Sequence, residues 1–309
     1  MTDATDIDLP RGVALAWGVA ANPQRGPKRE MSVERIVDAA VEIADADGLG
    51  AVSMAAVAAR LGYTPMSLYR YVTAKEDLLL LMQEEATGLP SDEIRQAEGW
   101  RASLQALYRE QVQRYLEHPW VLDVPISGSP TTPNSAAWMD AGLHALAGTP
   151  LSHQDRLAVM LLVTGHARWT GMVLAGYARM QREGGLADHD IAAREDAMFR
   201  ALITEDGYPD LRAAIDAGVF LDESDPFSFN LARSLDGVAA YIDAVPEGRA
   251  VEREPWLRAD DEDIADDKKF REARKAVREA EKGLRDAKKI ERQVARDARE
   301  RRARLRGGA

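Results

Sequence analysis

Residues 53–75 read SMAAVAARLGYTPMSLYRYVTAK, and their spacing dictates two short helices joined by a tight turn. Ser53 is a good N-cap, and Met54, Val57, Ala58 and Leu61 follow at i, i+3, i+4 and i+7, one apolar face. Gly62 stands where a helix ends best on a residue that tolerates the left-handed conformation. Thr64 and Pro65 restart the chain, a capping hydroxyl followed by proline at the first helical position, where its missing N–H is not needed. Leu68 and Val72 face inward, which leaves Met66, Ser67, Tyr69, Arg70 and Tyr71 pointing elsewhere. This is a helix-turn-helix whose second helix offers hydroxyls, an arginine and aromatic rings, a set suited to the major groove of DNA. Spacing alone leaves a second reading open, because two short helices around a glycine also occur as ordinary packed or solvated faces.

The flanks narrow the choice. Upstream, Val33, Ile36, Val37, Ala40, Ile43 and Ala44 keep the helical period over residues 32–47, and Gly48 ends that helix. Downstream, Thr73 and Glu76 have capping-box spacing, which puts Lys75 in a first helical turn, where its ammonium and the free backbone N–H groups can both meet a phosphate. Ahead of the first helix, Arg25, Lys28 and Arg29 surround Gly26 and Pro27, the make-up of an extended basic arm.

SVERIVDAAVEIADADGLGAVSM, the glycine turn, SLYRYV and K-E-D-L resemble the DNA-binding domain of the TetR family of bacterial transcriptional regulators over residues 25–82. GWRASLQALYREQVQRYLEHPWVL, PNSAAWMDAGLHALAG and DPFSFNLARSLDGVAAYID resemble the ligand-binding domain of the tetracycline-repressor class, which carries the likeness to residue 244. The resemblance implies a three-helix DNA-binding domain whose third helix enters the major groove. It also implies a helical effector domain and a homodimer built on a four-helix interface. The implied DNA contacts are Arg25, Lys28, Arg29, Ser53, Thr64, Pro65, Met66, Ser67, Tyr69, Arg70, Tyr71 and Lys75. One departure matters: many members carry a polar or basic pair early in the second helix, where this chain has Met54, Ala55 and Ala56. More of the reading therefore falls on the third helix and the N-terminal arm.

Composition sets bounds around this. A chain of 309 residues holds two domains with ample cores, and it has no cysteine, which excludes disulfides and thiolate metal sites and fits a cytoplasmic setting. No apolar run is expected to reach the roughly 20 residues that span a bilayer. The net charge of −11 is unevenly spread. Residues 22–80 carry seven basic and eight acidic side chains, residues 81–267 carry fifteen and thirty-three, and residues 268–309 carry seventeen and seven. An acidic body repels phosphate and orients the basic end toward it. The expected organisation is all-α. A flexible extension (1–24) precedes a helix-turn-helix domain (25–82) and an effector and dimerisation domain (83–247). An acidic linker (248–267) and a charged helical tail (268–309) follow.

Within the effector domain, Trp100, Leu104, Leu107, Tyr108, Val112 and Tyr115 share one face of a helix that His118-Pro119-Trp120 closes. Asn134 is placed to cap the next helix. A long apolar helix over residues 154–181 carries Leu157, Met160, Leu161, Thr164, Arg168 and Met172 at helical spacing. Its Gly165, Gly171 and Gly176 leave room for another helix. A last helix over residues 226–244 carries Phe227, Leu231, Leu235, Val238 and Ile242. Trp120, Trp138, His144, His166, Trp169 and Met172 are the candidates for lining an effector cavity, with polar anchoring from His144, His166 and Arg168. The effector expected from these residues is apolar and aromatic or polycyclic. Two lone histidines do not make a metal site, and no stretch matches the magnesium-coordinating segment of tetracycline repressor, so no metal or cofactor is implied.

The tail has no proline and one interior glycine, Gly283. Phe270, Val277 and Leu284 lie seven apart, and Ala273, Ala280, Ala287 and Val294 form a second column, a thin heptad seam that Glu291 interrupts. It reads first as a solvated, charge-stitched helix, with a weak coiled coil or an auxiliary nucleic-acid contact as alternatives. The leading functional reading is a ligand-responsive repressor that binds a palindromic operator in double-stranded DNA as a homodimer, with no membrane partner. The alternatives are an architectural or interaction protein acting through the tail, or an enzyme in the helical domain. No nucleophile motif, phosphate loop or spaced metal set supports the enzyme.

Overall fold

The computed structural model describes residues 9–19, 31–126, 128, 131–185, 187–222, 224–245, 264 and 266–307. Among them there is no strand, as the all-α reading requires. The chain divides into two compact units, Met1–Val251 and Glu252–Ala309. The first holds α1 (Arg11–Ala16), α2 (Val33–Asp47), α3 (Met54–Leu61), α4 (Pro65–Leu68), α5 (Lys75–Thr87) and α6 (Asp92–Gln96). It continues with α7 (Gly99–Glu117), α8 (Pro133–Ala145), α9 (His153–Gly184), α10 (Asp188–Leu202), α11 (Pro209–Asp216) and α12 (Pro226–Ala244). The second unit holds α13 (Lys268–Gly307).

The local signals of residues 53–75 act much as their chemistry demands. The Ser53 hydroxyl accepts the backbone N–H of Ala56 at 3.1 Å, and Gly62 ends α3 in the left-handed region at φ 76°. Pro65 opens α4 as its first residue. Two caps differ from expectation. The Thr64 hydroxyl makes no capping bond; instead Ser67 Oγ donates back to the Thr64 carbonyl at 2.6 Å. The Thr73–Glu76 capping box does not form, because Thr73 Oγ1 donates to Asp77 Oδ2 at 3.0 Å and Ala74 stands at the cap position.

Asp77 is claimed from its other side as well. Residues 1–24 were expected to be a flexible extension, yet α1 packs on α5. The Gly12 N–H donates to Asp77 Oδ1 at 2.9 Å, and Val13 is buried. A Cβ at position 12 would lie 2.9 Å from Asp77 Oδ1, so the approach needs glycine. Trp17 Nε1 then donates to the Thr131 carbonyl at 2.6 Å, fastening this helix also to the segment before α8.

Two apolar cores organise the unit. The first gathers Ile36, Ala40, Val57, Ala58, Leu68, Val72, Leu78 and Met82, and it extends to Trp120 and Val121 in the short 3-10 helix Pro119–Asp123 and to Val124 just after it. The second gathers Ile94, Leu104, Leu107, Trp138, Leu146, Val163, Ala167 and Leu235. Polar bonds cross between the helix-turn-helix region and the helices behind it. Asp45 Oδ1 on α2 accepts from Trp120 Nε1 at 2.7 Å and pairs with His118 Nδ1 at 2.8 Å. Asn134 was expected to cap α8, but Thr132 holds that position. Asn134 instead clamps α5: its N–H donates to Glu84 Oε1 at 2.7 Å and its Nδ2 to the Glu84 carbonyl at 2.8 Å.

α9 is the spine of the second core. It crosses α7 where Gly171 sits against Tyr115, and it lies against α8 at Gly142, whose missing Cβ makes room for Met160. By length and composition α9 is apolar enough to cross a membrane, which the sequence reading did not anticipate. Its physical reason is visible: one face is buried by Val159, Val163, Ala167 and Ala175, while a second apolar face with Leu161, Leu162, Trp169 and Met172 is exposed.

A Cβ at Gly171 would fall 2.8 Å from Tyr115 Cβ, an atom next to the backbone that cannot swing aside. Gly171→Val is expected to lower the unfolding free energy by about 1–3 kcal/mol, read as a reduced midpoint in urea at unchanged slope.

Candidate nucleic-acid interface and effector cleft

Among the described residues, the DNA-facing candidates fall at the start of α3, along α4 and the turn after it, and at the start of α5. Met66 is 73% exposed, and Tyr69, Arg70, Thr64, Pro65 and Ser53 are also exposed, while Ser67 and Tyr71 are half-buried. Leu68 and Val72 are fully buried beneath them, so the short α4 is held down by its apolar side alone. Arg70 and Lys75 are both exposed, and neither has an ion pair among the described residues. Arg60, at the end of α3, is instead held by Glu42 of α2 through two bonds of 2.9 and 2.7 Å, so this cation braces the domain. Arg25, Lys28 and Arg29 lie outside the described residues.

The effector candidates do not converge on one cavity. Trp120 is 2% exposed and belongs to the first core, with its Nε1 on Asp45. Trp138 packs in the second core and donates to the Gly88 carbonyl at 3.0 Å, which ties α8 to the end of α5. His144 is exposed on α8. Arg168 spends its Nη2 on the carbonyls of Leu122 and Val124, at 2.9 and 3.0 Å, so it secures the 3-10 helix. Trp169 and Met172 stand about half-exposed on the outer face of α9. Periodicity placed these residues on helices correctly, but it carries no information about which neighbour each face meets.

One group does come together. His166 stacks on Tyr108 with ring centroids 5.3 Å apart, its Nε2 meets the Phe227 carbonyl at 3.0 Å, and Trp169 meets the Phe227 ring edge-on at 5.3 Å. Beside this cluster lies a cleft of about 320 Å³. Tyr108, Arg109 and Val112 of α7 form one wall, Thr170 and Leu174 of α9 the second, and Asp225, Phe227 and Ser228 at the start of α12 the third. Tyr108 Oη bonds Thr170 Oγ1 at 3.0 Å, and burial pushes the phenol pKa up. The cleft is thus apolar and aromatic, with the Arg109 guanidinium, the Asp225 carboxylate and hydroxyls in its lining. Arg109, Thr170 and Asp225 were not singled out from the sequence. The one available signal was the Asp-Pro pair at 225–226, which marks a helix start.

Comparison with known proteins bears on both regions. Residues 36–82 match the family of bacterial regulatory proteins, tetR family, and residues 94–242 match the tetracyclin repressor-like C-terminal domain. The HTH-type transcriptional repressor DrrR1 of Streptomyces coeruleorubidus is 32% identical over 236 residues, 76% of this chain and 87% of that protein. An HTH-type transcriptional regulator of Saccharopolyspora erythraea is 32% identical over 200 residues, 63% of this chain and 84% of that one. Among solved structures, ActR of Streptomyces coelicolor in complex with actinorhodin is similar at a TM-score of 0.56 and 22% identity. That match covers 69% of this chain and 98% of the other and speaks to the fold.

Asp225 also starts α12, its Oδ1 accepting from the N–H groups of Phe227 and Ser228 at 2.9 and 3.1 Å. Bonding from Ser228 holds the carboxyl below the usual carboxylate range. A lowered folded pKa means this stability is complete above the unfolded value of about 3.9 and is lost as pH falls through the folded one. Asp225→Ala is expected to remove about 0.5–2 kcal/mol at neutral pH. The difference from the unsubstituted protein should shrink in acid below pH ~4, which denaturation at several pH values would read.

Proposed function

Because the chain belongs to the TetR family of transcriptional regulators, we propose that it is a repressor that binds a palindromic operator as a homodimer and answers to a small organic effector. The observation that carries the reading is the exposed set Thr64 to Tyr71 on the second helix of the helix-turn-helix, presented over buried Leu68 and Val72. In such a motif the second helix lies in the major groove, and two copies must stand about one helical turn apart, roughly 34–36 Å. A dimer supplies that spacing.

The dimer surface in this reading is the outer side of α9 with α12. Leu161, Leu162, Trp169 and Met172 are each about half-exposed, Phe229 is 63% exposed, and Trp169 touches Phe227, so the two helices share one apolar patch. Gly165 and Gly176 on the same side have no neighbour within 4 Å of an added Cβ, which leaves space for a facing helix. A helix apolar on two opposite sides needs burial on both, and a patch of this kind is the usual mark of a protein interface. Trp169 and Met172, first assigned to the effector cavity, belong in this reading to the dimer.

The effector site is the cleft between α7, α9 and the start of α12. Its volume is at the small end of the roughly 300–1,000 Å³ of ligand sites, and its aromatic walls suit a largely apolar aromatic compound. Arg109, Thr170 and Asp225 replace the anchoring set His144, His166 and Arg168. A ligand on α7 would act through the end of that helix, where His118 and Trp120 meet Asp45 of α2. Differential binding to two dimer geometries then shifts the half-site spacing away from the operator. The protein works in the cytoplasm, beside its DNA.

Selection of bound fragments from genomic DNA, followed by titration of one such site, tests the reading; recovery of no common inverted repeat would refute it. Arg70→Ala is expected to relax base preference at one position of each half-site by roughly 1–3 kcal/mol, measured against single-base variants of the operator. Lys75→Ala should weaken binding to all sequences alike and flatten the salt dependence by about one phosphate's worth. For the dimer, Leu161→Glu is expected to yield a folded monomer by sedimentation and to abolish tight operator binding. Neutralising Arg25, Lys28 and Arg29 together tests the arm more cleanly than truncation, which would also strip α1 from α5; lowered operator affinity is the expected result.

A further inference from the structure

The tail carries a regularity beyond its apolar seam. Arg271, Arg278, Arg285, Arg292, Arg299 and Arg306 recur at every seventh position without a break. Lys275, Lys282, Lys289 and Arg296 form a second column, four residues after the first four of these arginines. At 100° per residue the two columns lie about 40° apart and drift together by about 20° per heptad, so they make one basic stripe that winds slowly around α13. Glu272, Glu279, Asp286 and Glu300 form an acidic column next to the lysines. The small and apolar residues Ala273, Ala276, Ala280, Gly283 and Ala287 occupy the far side.

The ion pairs show which cations are spoken for. Lys275 reaches Glu279 at 3.8 Å, and Lys268 reaches Glu272 at 4.0 Å. These are within-helix pairs, and they use lysines. Arg271, Arg278 and Arg285 are exposed and make no ion pair among the described residues. Lys268 and Lys275 thus answer Glu272 and Glu279, and Arg271, Arg278 and Arg285 are left over.

A second copy of the same helix is a poor match for this surface. The seam is mostly alanine, Glu291 and Arg301 interrupt it, and two tails with seventeen basic and seven acidic side chains each repel one another. A polyanion fits. We propose that α13 is a second, sequence-independent DNA contact, with Arg271, Arg278 and Arg285 lying on the phosphate backbone of the duplex whose bases the helix-turn-helix reads. This rests on the DNA-binding reading above. Guanidinium groups suit phosphate oxygens, and each phosphate neutralised releases condensed counterions. Tethering to a sequence-reading domain gives the contact a high local concentration without any specificity of its own.

The test is the salt dependence of binding by full-length protein to a long duplex holding the operator, compared with Arg271→Gln/Arg278→Gln/Arg285→Gln. Glutamine keeps helix propensity and removes three charges. The slope of log K against log salt should fall by about 2.7 for each tail engaged, so that with one tail of the dimer on the duplex a fourfold rise in salt costs the unsubstituted protein ~40-fold more affinity than the variant. Base preference should be unchanged, and the triple Arg→Lys protein should keep most of the slope. Equal slopes for the Gln variant and the parent overturn the proposal, and equal slopes with altered sedimentation assign the stripe's helix to self-association instead. If the parent binds no operator at all, the failure lies in the DNA-binding reading and not in the tail.

Discussion

The arrangement turns on one carboxylate. Asp45 of α2 receives the indole N–H of Trp120 and the ring nitrogen of His118, both from the turn that follows α7. Around it the first apolar core takes in Trp120, Val121 and Val124, so the two parts of the unit are continuous where they meet. Arg168 of α9 holds the same turn through two of its carbonyls. A displacement of α7 or α9 thus reaches α2 through packed rings and directed hydrogen bonds, with little slack. Truncating Asp45 would leave a part-buried indole N–H unpaired, a loss of the expensive kind.

α9 shows how one helix answers to two demands. Its inner side meets α7 and α8 through small residues at Gly171, Ala167 and Ala175, which let the helices approach closely. Its outer side carries large apolar residues that stay about half-exposed among the described residues, Trp169 meeting only the edge of the start of α12 at Phe227. A hydropathy window averages over both sides, which is why the helix resembles a membrane span in composition. Between the two faces, His166 and Arg168 turn to the carbonyls of Phe227, Leu122 and Val124 within the chain.

The helix-turn-helix was legible because its signals are local. Ser53, Gly62 and Pro65 each act within four residues of themselves, and the buried positions follow from the period of a single helix. What stayed hidden depends on distant partners. Nothing in the spacing tells that Asn134 faces Glu84, that Trp120 leaves the effector domain for the first core, or that Thr73 prefers Asp77 to the backbone. The cleft beside Tyr108 was not foreseen for the same reason: Arg109, Thr170 and Asp225 come from three helices, and no one of them has a motif. The residues that aromatic composition singled out are spread over the first core (Trp120), the second core (Trp138), the surface of α8 (His144) and the outer face of α9 (Trp169 and Met172), with His166 beside the cleft.

Gly12 on Asp77 and Trp17 on Thr131 have a consequence for the basic residues that follow them. Arg25, Lys28 and Arg29 belong to a stretch whose chain is fastened at both ends, by α1 on one side and by α2 on the other. Both α1 and α2 pack on α5, so the two helices that flank this stretch share one support. A substitution at Gly12 would be felt first at α5, through Asp77, and from there at α2.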